Sequence, residues 1–138
     1  MAVFRSVQRV YFDDLDALNI LHNVRYLLFI ERARGELFQS AGFRWNDDLQ
    51  QNPDKWHVIA AHEIHYLRPV TGEQEIAVLT NVTKIGTTSL LLDARVTSTN
   101  GDVVYATNAT RLVRLDPATN KPCPWSDRFR SAMQPYMK

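Results

Sequence analysis

The chain has 138 residues, enough for one ordinary domain with a genuine hydrophobic core. Its 16 basic and 15 acidic residues are interspersed and give a formal net charge of +1, which provides no electrostatic footprint for nucleic acid or for an anionic membrane. We therefore expect a single domain over residues 1–138 that binds neither nucleic acid nor membranes.

Cysteine usage and hydropathy indicate the compartment. Cys123 is the one cysteine, so it forms no intramolecular disulfide, and no metal-ligand companion stands at a recognisable spacing. No apolar run is long enough to span a bilayer, and residues 1–5 lack the basic region and the apolar core of a signal peptide. These features predict a protein of the reducing cytoplasm.

The first third of the chain predicts a strand, a loop and a helix. A strand over 3–12 leads into residues 13–23, whose Asp and Asn residues favour turns. Helical spacing then begins, with Asn23 as a candidate N-cap and Gly42 as a candidate stop, so the pattern predicts a helix over 24–41. One broad apolar stripe lies on that helix, formed by Tyr26, Leu27, Phe29, Ile30, Ala33, Leu37, Phe38 and Ala41.

The remainder predicts a long connection and four strands. The polar segment 44–56 is long enough to be functional and is expected to border a substrate channel. Strands are predicted over 58–67, 75–84, 88–98 and 103–115, and Asn100-Gly101 supplies a hairpin turn between the last two. The order strand, helix, meander predicts an α+β fold in which an antiparallel five-stranded sheet curls around one long central helix.

The junction of loop and helix carries the chemical signal. The first turn of a helix has free N–H groups and the positive end of the helix dipole, so it can hold a carbonyl oxygen that gains negative charge. Asp16 lies in the loop just before this turn. A carboxylate beside a helix start that can stabilise an oxyanion is the minimum set of groups needed to hydrolyse an activated acyl group.

Several segments resemble one family. Residues 14–26 resemble the Asp-x-Asp-Ala-x-Gly-x-x-x-x-x-x-Tyr signature of the 4-hydroxybenzoyl-CoA thioesterase family, which comprises acyl-CoA thioesterases of the hotdog fold. The pattern continues in Glu31-Arg32-Ala33-Arg34, in the Arg-Pro strand end within 62–70, and in a hairpin at 84–89. The resemblance implies hydrolysis of an acyl-CoA or acyl-carrier-protein thioester to a free acid and a thiol.

The resemblance also implies roles for individual residues. Asp16 takes the position of the catalytic carboxylate, as nucleophile or as general base, and the backbone N–H of Asn23 takes that of the oxyanion donor. We assign substrate contacts to His22, Tyr26 and Arg68. For His22 the alternative is a surface histidine at the entry to the helix. For Tyr26 the alternative is a core aromatic, and for Arg68, placed to meet a nucleotide phosphate, the alternative is a solvated rim charge.

The chain departs from the family pattern at two places. Asn19 stands where the family usually has Gly, and Asn is the non-glycine residue that best accepts a left-handed backbone, so the loop shape is expected to survive. Leu21-His22-Asn23 replaces the more usual Val-Asn-Asn or Val-Tyr-His. These changes bear on substrate preference and rate rather than on the reaction type.

The resemblance implies self-association and no cofactor. Hotdog subunits typically join their sheets edge to edge with the active sites at the boundary, so we expect a homodimer or a homotetramer built as a dimer of dimers. Four apolar residues predicted on the outer face of the sheet are consistent with cover by another subunit: Leu79, Leu91, Val104 and Leu112. No metal is predicted, because His62 and His65 lie on opposite faces of one strand.

Two other functions fit the same sequence. A hotdog 3-hydroxyacyl thioester dehydratase or hydratase needs a His paired with an acid, and His22 with Asp16 or Glu31 could imitate that pair. A non-catalytic acyl-CoA binding module is the second alternative, because a fold alone does not give activity. For Glu31 the simpler prediction is a pairing with a nearby Arg on the same helix.

Overall fold

A computed structural model describes residues 2–138. Five strands form one antiparallel sheet in the order β1-β3-β4-β5-β2, with β1 at Phe4–Val10, β2 at His57–Tyr66, β3 at Gln74–Ile85, β4 at Ser89–Thr97 and β5 at Val104–Arg114. The longer helix, α1, covers Arg25–Ser40, and a shorter one, α2, covers Asp127–Met133. The α+β class and the five-stranded antiparallel sheet are confirmed, and each predicted element overlaps an observed one. Within the described part of the chain, no helix combines the length and apolar character needed to cross a membrane.

Helix α1 packs its apolar stripe onto the inner face of β1, β3 and β4. Tyr26, Phe29 and Ile30 join one buried cluster with strand residues, and Leu37 and Phe38 join a second. Gly42 follows the helix with a φ of +94°, as predicted for its stop. The predicted N-cap is wrong by one residue, because Val24 holds that position and no side chain caps the helix.

The second helix was not predicted, and it closes the C-terminal end of α1. Ser126 Oγ caps α2 by accepting a hydrogen bond from Phe129 N–H at 3.1 Å. Phe129 and Met133, one helical turn apart, are buried against Leu37 and Phe38. Seven residues are too few for a helical period to stand out in the sequence. The single long helix expected from the sequence is therefore accompanied by a short second one.

One carboxylate ties α2 to the long connection. Asp54 is 1% exposed and accepts hydrogen bonds from Ser126 N–H at 2.8 Å and from Ser126 Oγ at 2.6 Å. Trp125 stacks on Phe129 with ring centroids 4.5 Å apart. The connection 44–56 thus packs at the C-terminal end of α1, and it contributes no residue to the cleft described below, contrary to the expectation that it borders a substrate channel.

Strand β2 lies at the edge of the sheet and is hydrogen-bonded only to β5 among residues 2–138. Most of its residues are exposed, because α1 makes its main contacts with β1, β3 and β4. The rings of Tyr66 and His57 nevertheless meet those of Tyr26 and Phe38 on the helix. Val58 and Ile59 are 45% and 40% exposed. The strand carries no Pro or Lys of the kind that usually protects a free edge.

The prediction that Leu112 points outward is wrong. Leu112 is fully buried in the cluster around Phe129, on the inner face of the sheet. The register of β4 and β5 shifts between Val96, which pairs with Ala106, and Thr97, which pairs with Val104. This β-bulge reverses the alternation, so the buried residues of β5 are the even-numbered ones from Ala106 to Leu112.

Candidate active site

The loop 14–23 is held in place on both sides by backbone hydrogen bonds. Asp14 is buried, and its backbone carbonyl accepts from His22 N–H at 2.9 Å while its carboxylate accepts from Tyr11 N–H at 2.9 Å. On the other side, the loop bonds to the segment 70–72 through Leu21 N–H to the Val70 carbonyl and through Gly72 N–H to the Asn19 carbonyl, at 2.8 and 2.9 Å. The loop is therefore a fixed platform.

Asn19 has a φ of +62°, in the left-handed region. The prediction that Asn accepts the conformation usually given to Gly is confirmed. Asn19 N–H donates to the carbonyl of Asp16 at 3.0 Å, and Asp16 N–H donates to the carbonyl of Ile20 at 2.9 Å. The loop thus closes tightly around Asp16.

The Asp16 carboxylate is half-buried, and its two oxygens differ. Oδ1 accepts hydrogen bonds from Leu18 N–H at 2.8 Å and, more loosely, from Ile20 N–H at 3.4 Å. Oδ2 accepts none from any residue between 2 and 138. One oxygen of Asp16, Oδ1, therefore stabilises the turn, and the other, Oδ2, takes no part in it.

At the start of α1, the N–H of Asn23 has no partner among residues 2–138. Arg25 N–H bonds to the His22 carbonyl at 2.9 Å, and Val24 N–H faces Nδ1 of His22 at 3.4 Å. For Asn23 N–H, no acceptor is found in the described chain. The Asn23 carbonyl accepts a hydrogen bond from the Tyr66 hydroxyl at 3.0 Å, so this backbone position is anchored while its N–H remains available.

A cleft of about 420 Å³ brings most of the predicted site together. Its lining includes four of the residues named from the sequence, which are Asp16, Asn23, Tyr26 and Arg68. The other lining residues are Ile20, Leu21, Tyr66, Leu67 and Pro69. The cleft thus lies between the loop 14–23, the start of α1 and the end of β2.

Tyr26 and Arg68 differ in their surroundings. Tyr26 is 3% exposed and its ring meets that of Tyr66 edge to face, with centroids 5.1 Å apart. Burial raises the pKa of Tyr26, opposed by a backbone hydrogen bond at Val70. Tyr26 is thus a core aromatic that also lines the cleft. Arg68 is exposed at the mouth, and no carboxylate of the described residues pairs with it within 4.0 Å.

His22 and Glu31 are not among the residues that line the cleft. The His22 side chain is exposed, with its ring beside Val24 N–H. Glu31 is 68% exposed and lies 4.0 Å from Nη2 of Arg34, the pairing expected as its simpler role. The acid and base required by the dehydratase alternative are therefore not assembled in this cleft.

Tyr66 is the residue that sequence reasoning missed. It both lines the cleft and fixes the backbone of Asn23, which lies 43 positions earlier in the chain. A signal was present, because Tyr66 stands two positions before Arg68 and residues at that spacing share one face of an extended chain. A tyrosine is equally common at an ordinary strand position, so its residue type alone did not single Tyr66 out.

Over the part of the chain that the structure describes, no three His, Cys, Asp or Glu side chains are grouped as a metal site would require. His62 and His65 do pair with Thr110 and Thr107 of β5, so they lie on opposite faces of β2 as predicted. The polar residues that line the cleft are Asp16, Asn23, Tyr26, Tyr66 and Arg68.

Comparisons with known proteins place this geometry in a family. Residues 10–133 match the model of the thioesterase-like superfamily. The chain is 25% identical over 120 residues to the acyl-CoA thioester hydrolase YbgC of Escherichia coli, covering 87% of each chain. It is 28% identical to a thioesterase from Thermus thermophilus solved with coenzyme A and Zn, with a TM-score of 0.78 over 96% of this chain and 92% of the other.

A further solved structure shares the fold. The structure of a predicted thioesterase from Bacillus stearothermophilus superposes with a TM-score of 0.85 over 99% of this chain and 98% of that one, at 23% identity. The likeness spans the sheet and both helices, since it leaves almost no residue out.

Proposed function

Because the chain belongs to the thioesterase-like superfamily, we propose that it is an acyl-CoA thioesterase whose reaction takes place in the cleft beside the start of α1. The observation that carries this proposal is the meeting of two groups in one cleft: the Asp16 carboxylate, with one oxygen not engaged in the turn, and Asn23, with an unpartnered N–H. Acyl thioester hydrolysis needs both, a nucleophile or base and an oxyanion donor.

In the proposed mechanism, the thioester carbonyl oxygen accepts a hydrogen bond from Asn23 N–H. The positive end of the α1 dipole adds to the stabilisation of the oxyanion. Removing one such donor typically costs ~10²–10³ in rate. The Tyr66 hydroxyl supports this donor by holding the Asn23 carbonyl from the opposite side.

Two routes are open to Asp16. Oδ2 attacks the carbonyl carbon, the thiolate leaves, and water hydrolyses the acyl anhydride; or the carboxylate takes a proton from a water that attacks the carbon directly. Both routes release a free acid and a thiol. Oδ1 stays bonded to the turn in either route, so the carboxylate does not have to reorient.

The remaining site residues take substrate contacts in this proposal. Arg68, an exposed cation at the cleft mouth, meets a nucleotide phosphate of coenzyme A. Tyr26 presents an aromatic wall to the thioester, and the acyl chain runs along α1 past Leu27. His22 contacts the substrate only at the rim, because its ring lies outside the cleft. An acyl-carrier-protein thioester would present the same reacting group.

The proposal includes assembly through β2. Its free edge, ten residues long, is mostly exposed and includes the apolar side chains of Val58 and Ile59, which favours pairing with the same strand of a second copy. In such a homodimer, or a homotetramer of two dimers, the joined sheets would wrap around α1 as the central helix of a hotdog fold. A single domain over residues 1–138 and a cytoplasmic location complete the proposal.

Thiol release from a panel of short, branched, long-chain and aromatic acyl-CoAs tests the proposal. We expect release by the native protein on at least part of the panel and release at least about a hundredfold slower by Asp16→Asn. Asp13→Asn is the matched control, because Asp13 is an exposed carboxylate three positions away that does not line the cleft. Tight binding without turnover on every member would identify a binding module, and water loss from a 3-hydroxyacyl thioester would identify a dehydratase.

A further inference from the structure

Two aromatic rings close the inner end of the cleft. Tyr26 of α1 and Tyr66 of β2 both line it, and their rings meet edge to face with centroids 5.1 Å apart. Aromatic rings at this separation are packed against each other, so an alkyl chain does not fit between them. Together they form a tyrosine wall on the side of the cleft that faces the core.

The tyrosine wall is held in place on both sides. The Tyr66 hydroxyl donates to the Asn23 carbonyl at 3.0 Å, and Tyr26 is buried in a cluster of apolar residues from α1 and the sheet. Ile64 stands two positions before Tyr66, packs on the same cluster, and is not among the residues that line the cleft. The cleft therefore ends at the tyrosine wall and does not continue between α1 and β2.

The other direction available to an acyl chain follows the surface of α1. Leu27 is partly buried against the apolar cluster and is the first apolar contact on this path. Glu31 follows four positions later on the same face of the helix, and its carboxylate is largely solvated. Carbons that extend beyond Leu27 therefore stay in water and gain no hydrophobic stabilisation.

These two limits correspond to a chain length. A helix rises about 1.5 Å per residue, so Leu27 lies about 6 Å beyond Asn23, the proposed oxyanion donor. An extended alkyl chain with bonds of about 1.5 Å advances roughly 1.3 Å per carbon, so about five carbons cover this distance. The cleft of about 420 Å³ also has to hold the reacting end of the coenzyme, which leaves little space for a longer, folded chain.

We propose that Tyr66 sets the upper limit on the length of the acyl group, so that carbons beyond about the sixth add nothing to binding. This inference rests on the proposed function, because it takes the Asn23 amide as the point where the thioester carbonyl binds. Tyr26 belongs to the core, whereas Tyr66 stands on the edge strand and is 48% exposed. The two parts of the Tyr66 side chain have separate roles: the hydroxyl positions Asn23, and the ring blocks the chain.

The test measures binding of coenzyme A thioethers, which a thioesterase cannot cleave, with butyl, hexyl and decyl chains. Each methylene that leaves water for an apolar wall tightens binding about fourfold, so titration calorimetry of the native protein should give about tenfold tighter binding of hexyl than of butyl. The hexyl and decyl ligands should bind within about twofold of each other. Tyr66→Ala removes the ring and should make decyl bind at least about tenfold more tightly than hexyl.

Tyr66→Phe is the matched control, because it loses the hydroxyl and keeps the ring. It should show the native dependence on chain length, even if loss of the Asn23 anchor weakens all three ligands alike. If Tyr66→Ala does not fold, Tyr66→Val serves instead, since valine is typical of strands and also removes the ring.

Three outcomes would overturn the inference: an affinity of the native protein that keeps rising from hexyl to decyl, a native dependence on chain length in Tyr66→Ala, or a shift in Tyr66→Phe as large as that in Tyr66→Ala. Failure of the two proposals is separable. Turnover of acyl-CoAs with no limit on chain length in binding removes the role of the Tyr66 ring alone. A limit that depends on Tyr66, without turnover of any thioester, removes the hydrolase alone.

Discussion

At the C-terminal end of α1, Leu37 and Phe38 are buried under α2, and the pocket between Phe38, Phe43 and Phe129 holds only about 10 Å³. At the N-terminal end, Val24 is 63% exposed, and a cleft of about 420 Å³ opens beside an unpartnered amide. The same helix is thus sealed by packing where it ends and left open where it begins. In the proposed function, this fold therefore separates stability from chemistry along one element, with aromatic packing at one end and unpartnered polar groups at the other.

The most direct way to separate the two ends is to remove the reacting group alone. Asp16→Asn keeps an Oδ1 that can accept from Leu18 N–H, so we expect an unchanged melting temperature and a loss of about 10²–10⁴-fold in kcat/KM. Thiol-release kinetics and thermal unfolding measure the two quantities on one sample. Activity within about twofold of the native value would contradict the role given to Asp16.

The converse change removes packing and should spare the chemistry. Phe129→Ala empties the centre of the aromatic cluster at the closed end, where Phe129 is 1% exposed, and it should lower the free energy of unfolding by about 3–5 kcal/mol. Urea titration measures the loss. At a temperature where the variant remains folded, kcat should be close to native, and a parallel loss of kcat would mean that the two ends are coupled.

A smaller effect on kcat is expected when the hydrogen bond that anchors Asn23, at the N-terminal end of α1, is removed. Tyr66→Phe keeps the ring contact with Tyr26 but removes the hydroxyl that bonds to the Asn23 carbonyl. We expect kcat to fall by about threefold to tenfold, the equivalent of one hydrogen bond, with KM little changed. Tyr105→Phe, whose hydroxyl lies 3.5 Å from Gln74, is the control and should leave kcat unaffected.

The smallest expected effect is on the pH dependence of stability, through His57 near the C-terminal end of α1. Burial lowers the pKa of His57, whose Nδ1 lies 2.7 Å from the Asp54 carbonyl among Phe38, Trp45 and Trp125. Since the unfolded chain then binds the proton more readily, the stabilisation is complete above the unfolded pKa of about 6.5 and is lost as pH falls through the lower folded value. Urea midpoints should drop toward acid pH in the native protein and drop less in His57→Phe. An equal acid dependence in both would exclude His57 as its cause.

Long periodic patterns allowed most of the fold to be predicted from the sequence. The strands and α1 were found because their alternation or helical period extends over seven residues or more. Leu112 was misplaced because strict alternation from Val104 ignores a bulge, and a bulge depends on the partner strand rather than on local composition. The short helix α2 was not predicted, because its burial depends on residues that are distant in the sequence.

The candidate site was predictable where it is local in the sequence. Asp16, Asn19 and Asn23 share one loop, and the turn preferences of Asp and Asn limit how such a loop folds. Tyr66 and the pairing of His62 with Thr110 were not predictable, because these contacts join positions 43 and 48 residues apart whose register is decided only when the strands assemble. The burial of Arg34 depends in the same way on which face of the sheet α1 covers.

The attachment of the loop 14–23 to the segment 70–72 has a consequence for how this protein can diverge. Both links at that junction are made by main-chain atoms, and Leu18 at the loop tip is 77% exposed. Side chains on the loop can therefore be exchanged over evolutionary time while the acid keeps its position. In the proposed function, proteins that descend from this one can therefore accept different acyl groups while the step that breaks the thioester bond stays the same.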